Sequence, residues 1–428
     1  MNRDAMERIS LGSEAYLNFV ENDRYKTNYI SFYFVTPLTK ENASYNSLLS
    51  RVLTRGSEKY PTQLALNCAL DGAFDAELDS DTTKVGEWHA LCLSLCTLDD
   101  AYAFPGETAT GKGLEILEEV LRRPYLPQGV FDGEYVKSEK KRNLDDLASI
   151  INNKARYARS RMFEHMCRLE PYSISSMGVG SVLRSITPES LTAYYRRLLE
   201  TARIEIFFVG RFDRVAATEK VKGMLKGLKR TPATLPQPSI RTKARSVREV
   251  TEKMDITQAN LVMGFRTGTT VYDEDARAMS VYNAVLGGSL TSKLFCVLRE
   301  KMSLCYSVSS SPDAMKGVML IYAGIAPENR DVAVKEALNQ MDEIRRGNVT
   351  DEEMESARGA LIHAMRGLGD NPAVLAEWYL PRVLAERIVT PEQIIREVEK
   401  IQKEDVIRVS EKITLDTIYT LTAKEEKA

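Results

Sequence analysis

The sequence predicts an α+β fold in which two similar units each set a β-sheet against covering helices. Three observations carry that prediction. At 428 residues the chain exceeds what one hydrophobic core ordinarily serves. A strand followed by helix-period residues and two further strand-like runs occurs twice. A Thr-Pro-Glu helix start that leads toward a last strand also occurs twice, and a proline-rich stretch separates the copies.

Taken in order, Asn28 to Val35 (NYISFYFV) is dense in aromatic and β-branched residues and reads as a strand. Its counterpart in the second half is Ala259 to Phe265 (ANLVMGF). The paired runs that follow are Ala73 to Asp79 with Glu87 to Cys96, and Cys305 to Ser310 with Val318 to Ile325. Ile186-Thr187-Pro188-Glu189 then recurs as Val389-Thr390-Pro391-Glu392. The threonine is placed to cap a helix and the proline to begin it. Both helices are expected to run into final strands, Ile204 to Val209 and Thr417 to Leu421. The expected domains are therefore 1–227 and 248–428, differing by loop-sized insertions. Residues 228–247 join them; Pro232, Pro236, Pro238 and the basic Arg241-Thr242-Lys243 mark an extended linker. Two sheet units on such a tether can face each other across a cleft.

Composition narrows the function classes. Basic and acidic residues nearly cancel, 58 against 60, which argues against binding nucleic acid by neutralising phosphates. Lys140-Lys141-Arg142 is followed by Asp145-Asp146 and reads as a solvated helical face. No stretch approaches the roughly 20 apolar residues a bilayer span needs, so no membrane partner is expected. Met1 to Arg8 contains no apolar leader core, and none of the six cysteines forms a C-x-x-C pair. Reduced thiols and a cytoplasmic location are the expectation.

The most informative helix is Tyr45 to Leu53. Apolar residues at 45, 48, 49, 52 and 53 make a buried stripe, while Ser47, Ser50 and Arg51 share the opposite face. Positions 47 and 51 lie one turn apart with 50 beside them. In H-x-x-E-H metallopeptidase helices that arrangement puts two histidines on zinc and a glutamate on the attacking water. Other metal sites find little support. His89, Cys92 and Cys96 are close in sequence, but alternation on a strand turns His89 away from both thiols, which themselves sit roughly 13 Å apart. His165 and Cys167 diverge on a helix, and His363 sits in an apolar run.

The run from Leu48 through Gly56-Ser57 to Tyr60-Pro61 is similar to the inverted zinc motif of the insulinase, pitrilysin and mitochondrial processing peptidase family. Aligned through those residues, the two histidine positions are Ser47 and Arg51, and the base position is Ser50. The family's third ligand is a glutamate on a later helix; the matching stretch Glu139 to Leu147 puts Asp146 there. The resemblance thus implies a member whose zinc ligands and general base are gone, with neither metal nor cofactor. It also implies two homologous, mainly antiparallel sheet domains arranged as a half-clamshell.

A second motif is retained. Leu286-Gly287-Gly288 fits a turn between two helices, the second ending near Arg299-Glu300-Lys301. A strand then begins, with Tyr306 expected on one face and Cys305 and Ser307 on the other. The block resembles the family's paired arginine and tyrosine, seven residues apart, which implies that Arg299 and Tyr306 hold a substrate peptide's carbonyl. Guanidinium and phenol are both donors at neutral pH. The implied role is a peptide-binding, catalytically inactive subunit that pairs with a homologous zinc-bearing peptidase. The other class of role is a peptide-binding or scaffold protein, possibly homo-oligomeric, without a peptidase partner.

Overall fold

The structure is a computed structural model that describes residues 6–424. Residues 1–5, part of the stretch read above as lacking a leader core, lie outside the described residues. Eleven strands form two sheets among these residues. The first contains β1 (Met6–Gly12), β2 (Ala15–Glu21), β3 (Thr27–Pro37), β4 (Glu77–Val85), β5 (Trp88–Leu98) and β6 (Arg203–Gly210), in the order β1-β2-β6-β3-β5-β4. The second contains β7 (Arg248–Met254), β8 (Ala259–Arg266), β9 (Cys305–Asp313), β10 (Val318–Ile325) and β11 (Thr414–Ala423), in the order β7-β11-β8-β10-β9.

Setting β1 aside, the two orders are the same. Each sheet has one parallel pairing at the same place, β2 with β6 and β7 with β11, and all other pairings are antiparallel. The repeat seen in sequence is therefore a repeat of topology.

In the first unit, Phe32, Phe34, Leu91, Leu93 and Ile206 point to one face of the sheet and pack against helices Lys40–Leu53, Ala109–Arg122 and Pro188–Thr201. Leu48, Leu49, Val52 and Leu53 supply the stripe by which the Lys40–Leu53 helix docks. Thr39 caps that helix by accepting from the Asn42 amide, and Thr187 and Thr390 close capping boxes at theirs.

Chain contacts divide the protein into two compact units that are discontinuous in sequence. One runs to Ala148 and adds Ile174–Gln237 and Gly369–Pro381; the other comprises Ser149–Ser173, Pro238–Leu368 and Arg382 onward. Each sheet thus receives a helical segment from the opposite half of the chain. In the first unit, Glu377 of such a segment lies close enough to Tyr33 and Cys92 to push both hydroxyl and thiol pKa values up, adding to burial as the main cause. In the second, Ala158, Met162 and Met166 of helix Lys154–Met166 pack on Val262, Tyr419 and Leu421. Gly264 makes room there: a Cβ would lie 2.6 Å from the Met162 sulfur.

A buried ionic cluster fastens the same segment. Glu170 pairs with Arg266 at 2.7 Å and with Lys316 at 2.6 Å, and Arg266 pairs with Asp416 at 2.8 Å. The two cations and two carboxylates balance, which is what makes their burial tolerable.

Three expectations need correction. Ala73 to Asp79 is not one strand: Phe74 and Asp75 have φ of 63° and 54°, a turn that ends the Gln63–Asp71 helix, and β4 begins only at Glu77. The Pro391–Lys400 helix does not lead straight into the last strand, because helix Lys403–Lys412 intervenes. Cys305 and Ser307 do not share a face, for a reason given below. Among the described residues no helix is long and apolar enough to cross a membrane.

Candidate functional site

The polar face of the Lys40–Leu53 helix is built as the sequence places it, but its side chains are committed to one another. Ser47 is buried and accepts from Asn143 Nδ2 at 2.9 Å. The Ser50 hydroxyl donates to the Ser47 carbonyl at 3.0 Å. Arg51 Nη2 donates to Asp146 Oδ2 at 2.6 Å, joining this helix to helix Gly133–Ser149. One turn on, Arg55 pairs with Glu139 at 3.2 Å and lies over the Tyr135 ring. The alignment positions Ser47, Ser50, Arg51 and Asp146 therefore do converge.

Those residues do not fit a zinc ion. Two are neutral hydroxyls, one is a fixed cation, and the one carboxylate is already held by that cation. No group of three or more metal-ligating side chains occurs among the described residues.

Behind the helix runs a network that sequence reasoning missed. His89 Nε2–H donates to the Ser176 carbonyl at 2.9 Å, which leaves Nδ1 to accept from Asn46 Nδ2 at 3.0 Å. Asn46 Oδ1 in turn accepts from the Tyr194 hydroxyl at 2.9 Å. Burial lowers the His89 pKa to about 4, so the ring is neutral. The loop containing Ser176 is pressed on the helix: Val179 N–H donates to Ser44 Oγ at 2.9 Å. Gly178 at φ +82° leaves no space for a Cβ, which would lie 2.5 Å from the Ser44 Cα. Alternation correctly separated His89 from Cys92 and Cys96, but nothing local in the sequence names its partners.

In the second unit, Arg299 lies on a wide helical turn, Phe295–Lys301, that precedes β9. Its guanidinium sits 4.7 Å above the Phe295 ring and 3.6 Å from the Glu300 carboxylate. Tyr306 is 75% exposed. On β10, Ile325 pairs with Cys305 and the adjacent Gly324 pairs with Ser307. Tyr306 is therefore the extra residue of a β-bulge, and Cys305 and Ser307 fall on opposite faces. A bulge re-aims the side chain it carries. Sequence alternation assumed a regular strand and could not register the insertion. β9 is also the last strand of its sheet, so its outer edge has no strand partner among the described residues.

Comparison with known proteins adds the following. Residues 185–361 match the family described as "Peptidase M16 inactive domain". A probable inactive metalloprotease, YmfF, from Bacillus subtilis strain 168 is 28% identical over 408 residues, covering 95% of this chain and 96% of its own. A conserved protein of Enterococcus faecalis V583 has a crystal structure that superposes with a TM-score of 0.90 at 25% identity, over 99% of this chain and 100% of that one. A Pseudomonas fluorescens structure titled peptidase M16 inactive domain superposes at 0.80 with 18% identity over the full length of both, a likeness of fold.

Proposed function

We propose, starting from a chain that belongs to the M16 peptidase family, that this inactive homologue binds extended peptide through Arg299 and Tyr306 and serves a zinc-bearing homologue as its non-catalytic subunit. The observation that carries the proposal is a contrast in how two sets of polar side chains are used. Ser47 is bonded to Asn143 of the neighbouring helix, Ser50 to its own helix, and Arg51 to Asp146. Tyr306 is instead turned outward by a bulge, on an edge strand, with Arg299 on the preceding turn.

That pair suits a peptide carbonyl. The phenol presents one O–H and the guanidinium several N–H donors. Together they can polarise a carbonyl that another subunit's metal-bound water attacks. The chain supplies no such water itself, because nothing at the Ser47 position holds a metal.

The test uses the purified chain with and without a homologue that retains H-x-x-E-H. Alone and dialysed, the chain is expected to carry no stoichiometric zinc and to leave a quenched peptide library uncut. In the mixture, Arg299→Ala and Tyr306→Phe are each expected to lower turnover tenfold or more while co-elution is unchanged. Full turnover by both variants would rule the assignment out. Recovery of self-copies alone from the native cell would favour the scaffold reading.

A further inference from the structure

A pocket in the first unit has no part in the peptide reading above. It opens between the end of β3, the start of the Lys40–Leu53 helix, the Pro188–Thr201 helix and the linker, and encloses about 310 Å³. That is the size range of small-molecule sites. One wall is aliphatic: Val35 and Leu198 are buried in it, and Leu235 of the linker closes it. The other wall is polar, with Asn42 and the buried Tyr194.

At its mouth stand one cation and one anion. Arg197 Nη2 donates to Glu41 Oε1 at 2.8 Å, and its guanidinium lies 5.0 Å above the Tyr194 ring. Both side chains are more than half exposed, 53% and 57%, so the pair contributes little to stability and opens readily. A lone anion entering the pocket is repelled by Glu41, and a lone cation by Arg197. A molecule that carries both charges within a few bonds of each other meets both partners: its carboxylate takes the Arg197 fork and its ammonium takes Glu41. An aliphatic group beyond those charges fills the Val35, Leu198 and Leu235 wall.

We infer that this pocket binds a small apolar zwitterion, a free aliphatic amino acid or a short uncapped peptide, at a site separate from Arg299 and Tyr306. Occupancy has a route to the helix that carries Ser47 and Arg51, because Tyr194 donates to Asn46 on that helix.

Titration calorimetry on the full chain with leucine, Leu-Leu and N-acetyl-Leu-Leu-amide tests this directly. At least one uncapped probe is expected to bind at one site per chain that Arg299→Ala leaves intact, with the doubly capped probe at least tenfold weaker at that site. Glu41→Gln and Arg197→Gln should each weaken the uncapped probe tenfold or more. Ala233→Trp, a change on the exposed linker that fills the pocket without touching the core, should abolish binding while leaving the melting temperature unchanged. Arg299→Ala should leave binding as it is, which separates failure here from failure of the peptide-subunit reading. Tighter binding of leucine than of Leu-Leu assigns the pocket to free amino acids, and the reverse order assigns it to peptides. The inference is overturned by silence of all uncapped probes at millimolar concentration, by equal binding of the capped probe, or by loss of binding in Arg299→Ala.

Discussion

His89 shows how one buried side chain ties the protein's stability to pH. Its ring is held neutral between two hydrogen-bond partners, with a folded pKa of about 4 against an ordinary value of 6.5. Between those values the unfolded chain binds a proton that the folded chain refuses. Stability contributed by the neutral ring is thus complete above pH 6.5 and is lost as pH falls toward 4, by up to about 3 kcal/mol. Urea unfolding at several pH values is expected to show that slope in the wild type and a shallower one in His89→Gln. Identical slopes would mean that carboxylates alone set the acid sensitivity. At the same scale, Ser47, Ser50 and Arg51 were legible as one helix face because helical spacing is a local property. Their partners Asn143 and Asp146 come from a helix some ninety residues away, and only the family resemblance pointed to Asp146.

Among the elements, two of the three strands that escaped sequence reading share a physical cause. β1 (MERISLG) and β7 (REVTEKM) lie at sheet edges and are interrupted by charged residues, so they lack the dense apolar signal of β3 or β10. Central strands buried on both faces, such as β6 and β8, declare themselves by composition alone. The bulge at Tyr306 escaped for another reason, since it is a property of pairing between strands. The helix near His165 was legible, yet the seat of helix Lys154–Met166 on the second sheet was not. That seat is fixed by Glu170 between Arg266 and Lys316. Replacing Glu170 with Gln leaves two buried cations facing one carboxylate, and is expected to cost about 3–5 kcal/mol. Chemical denaturation measures this, and a loss under 1 kcal/mol would show that the cluster admits water. Adding Lys316→Met to that variant should recover part of the loss.

For the whole molecule, the exchange of helical segments makes the repeat interdependent. A fragment 1–227, cut at the linker, lacks Gly369–Pro381, which belongs to the same compact unit as β3 and β5. It would leave Tyr33 and Cys92, both buried in the intact chain and both near Glu377, short of their cover. Such a fragment is expected to bind a hydrophobic dye and to fail cooperative melting, and fragment 248–428 to do the same for want of Ser149–Ser173. Mixed together, the two should recover a cooperative transition. Independent, cooperative melting of either fragment would refute this dependence. Sequence repetition suggested two halves but held no record of which helix covers which sheet, because that choice is made by contacts distant in the chain.

The Arg51–Asp146 pair makes the contact between its two helices independent of any bound ion. The Arg51 guanidinium gives the chain a resident cation that bridges two helices. The cross-link therefore needs no supply of metal from the cell. Histidine at 51 alone would forfeit the bridge while Ser47 and Ser50 still offered neither ligand nor base. A zinc site on this helix would therefore need Ser47, Ser50 and Arg51 exchanged together.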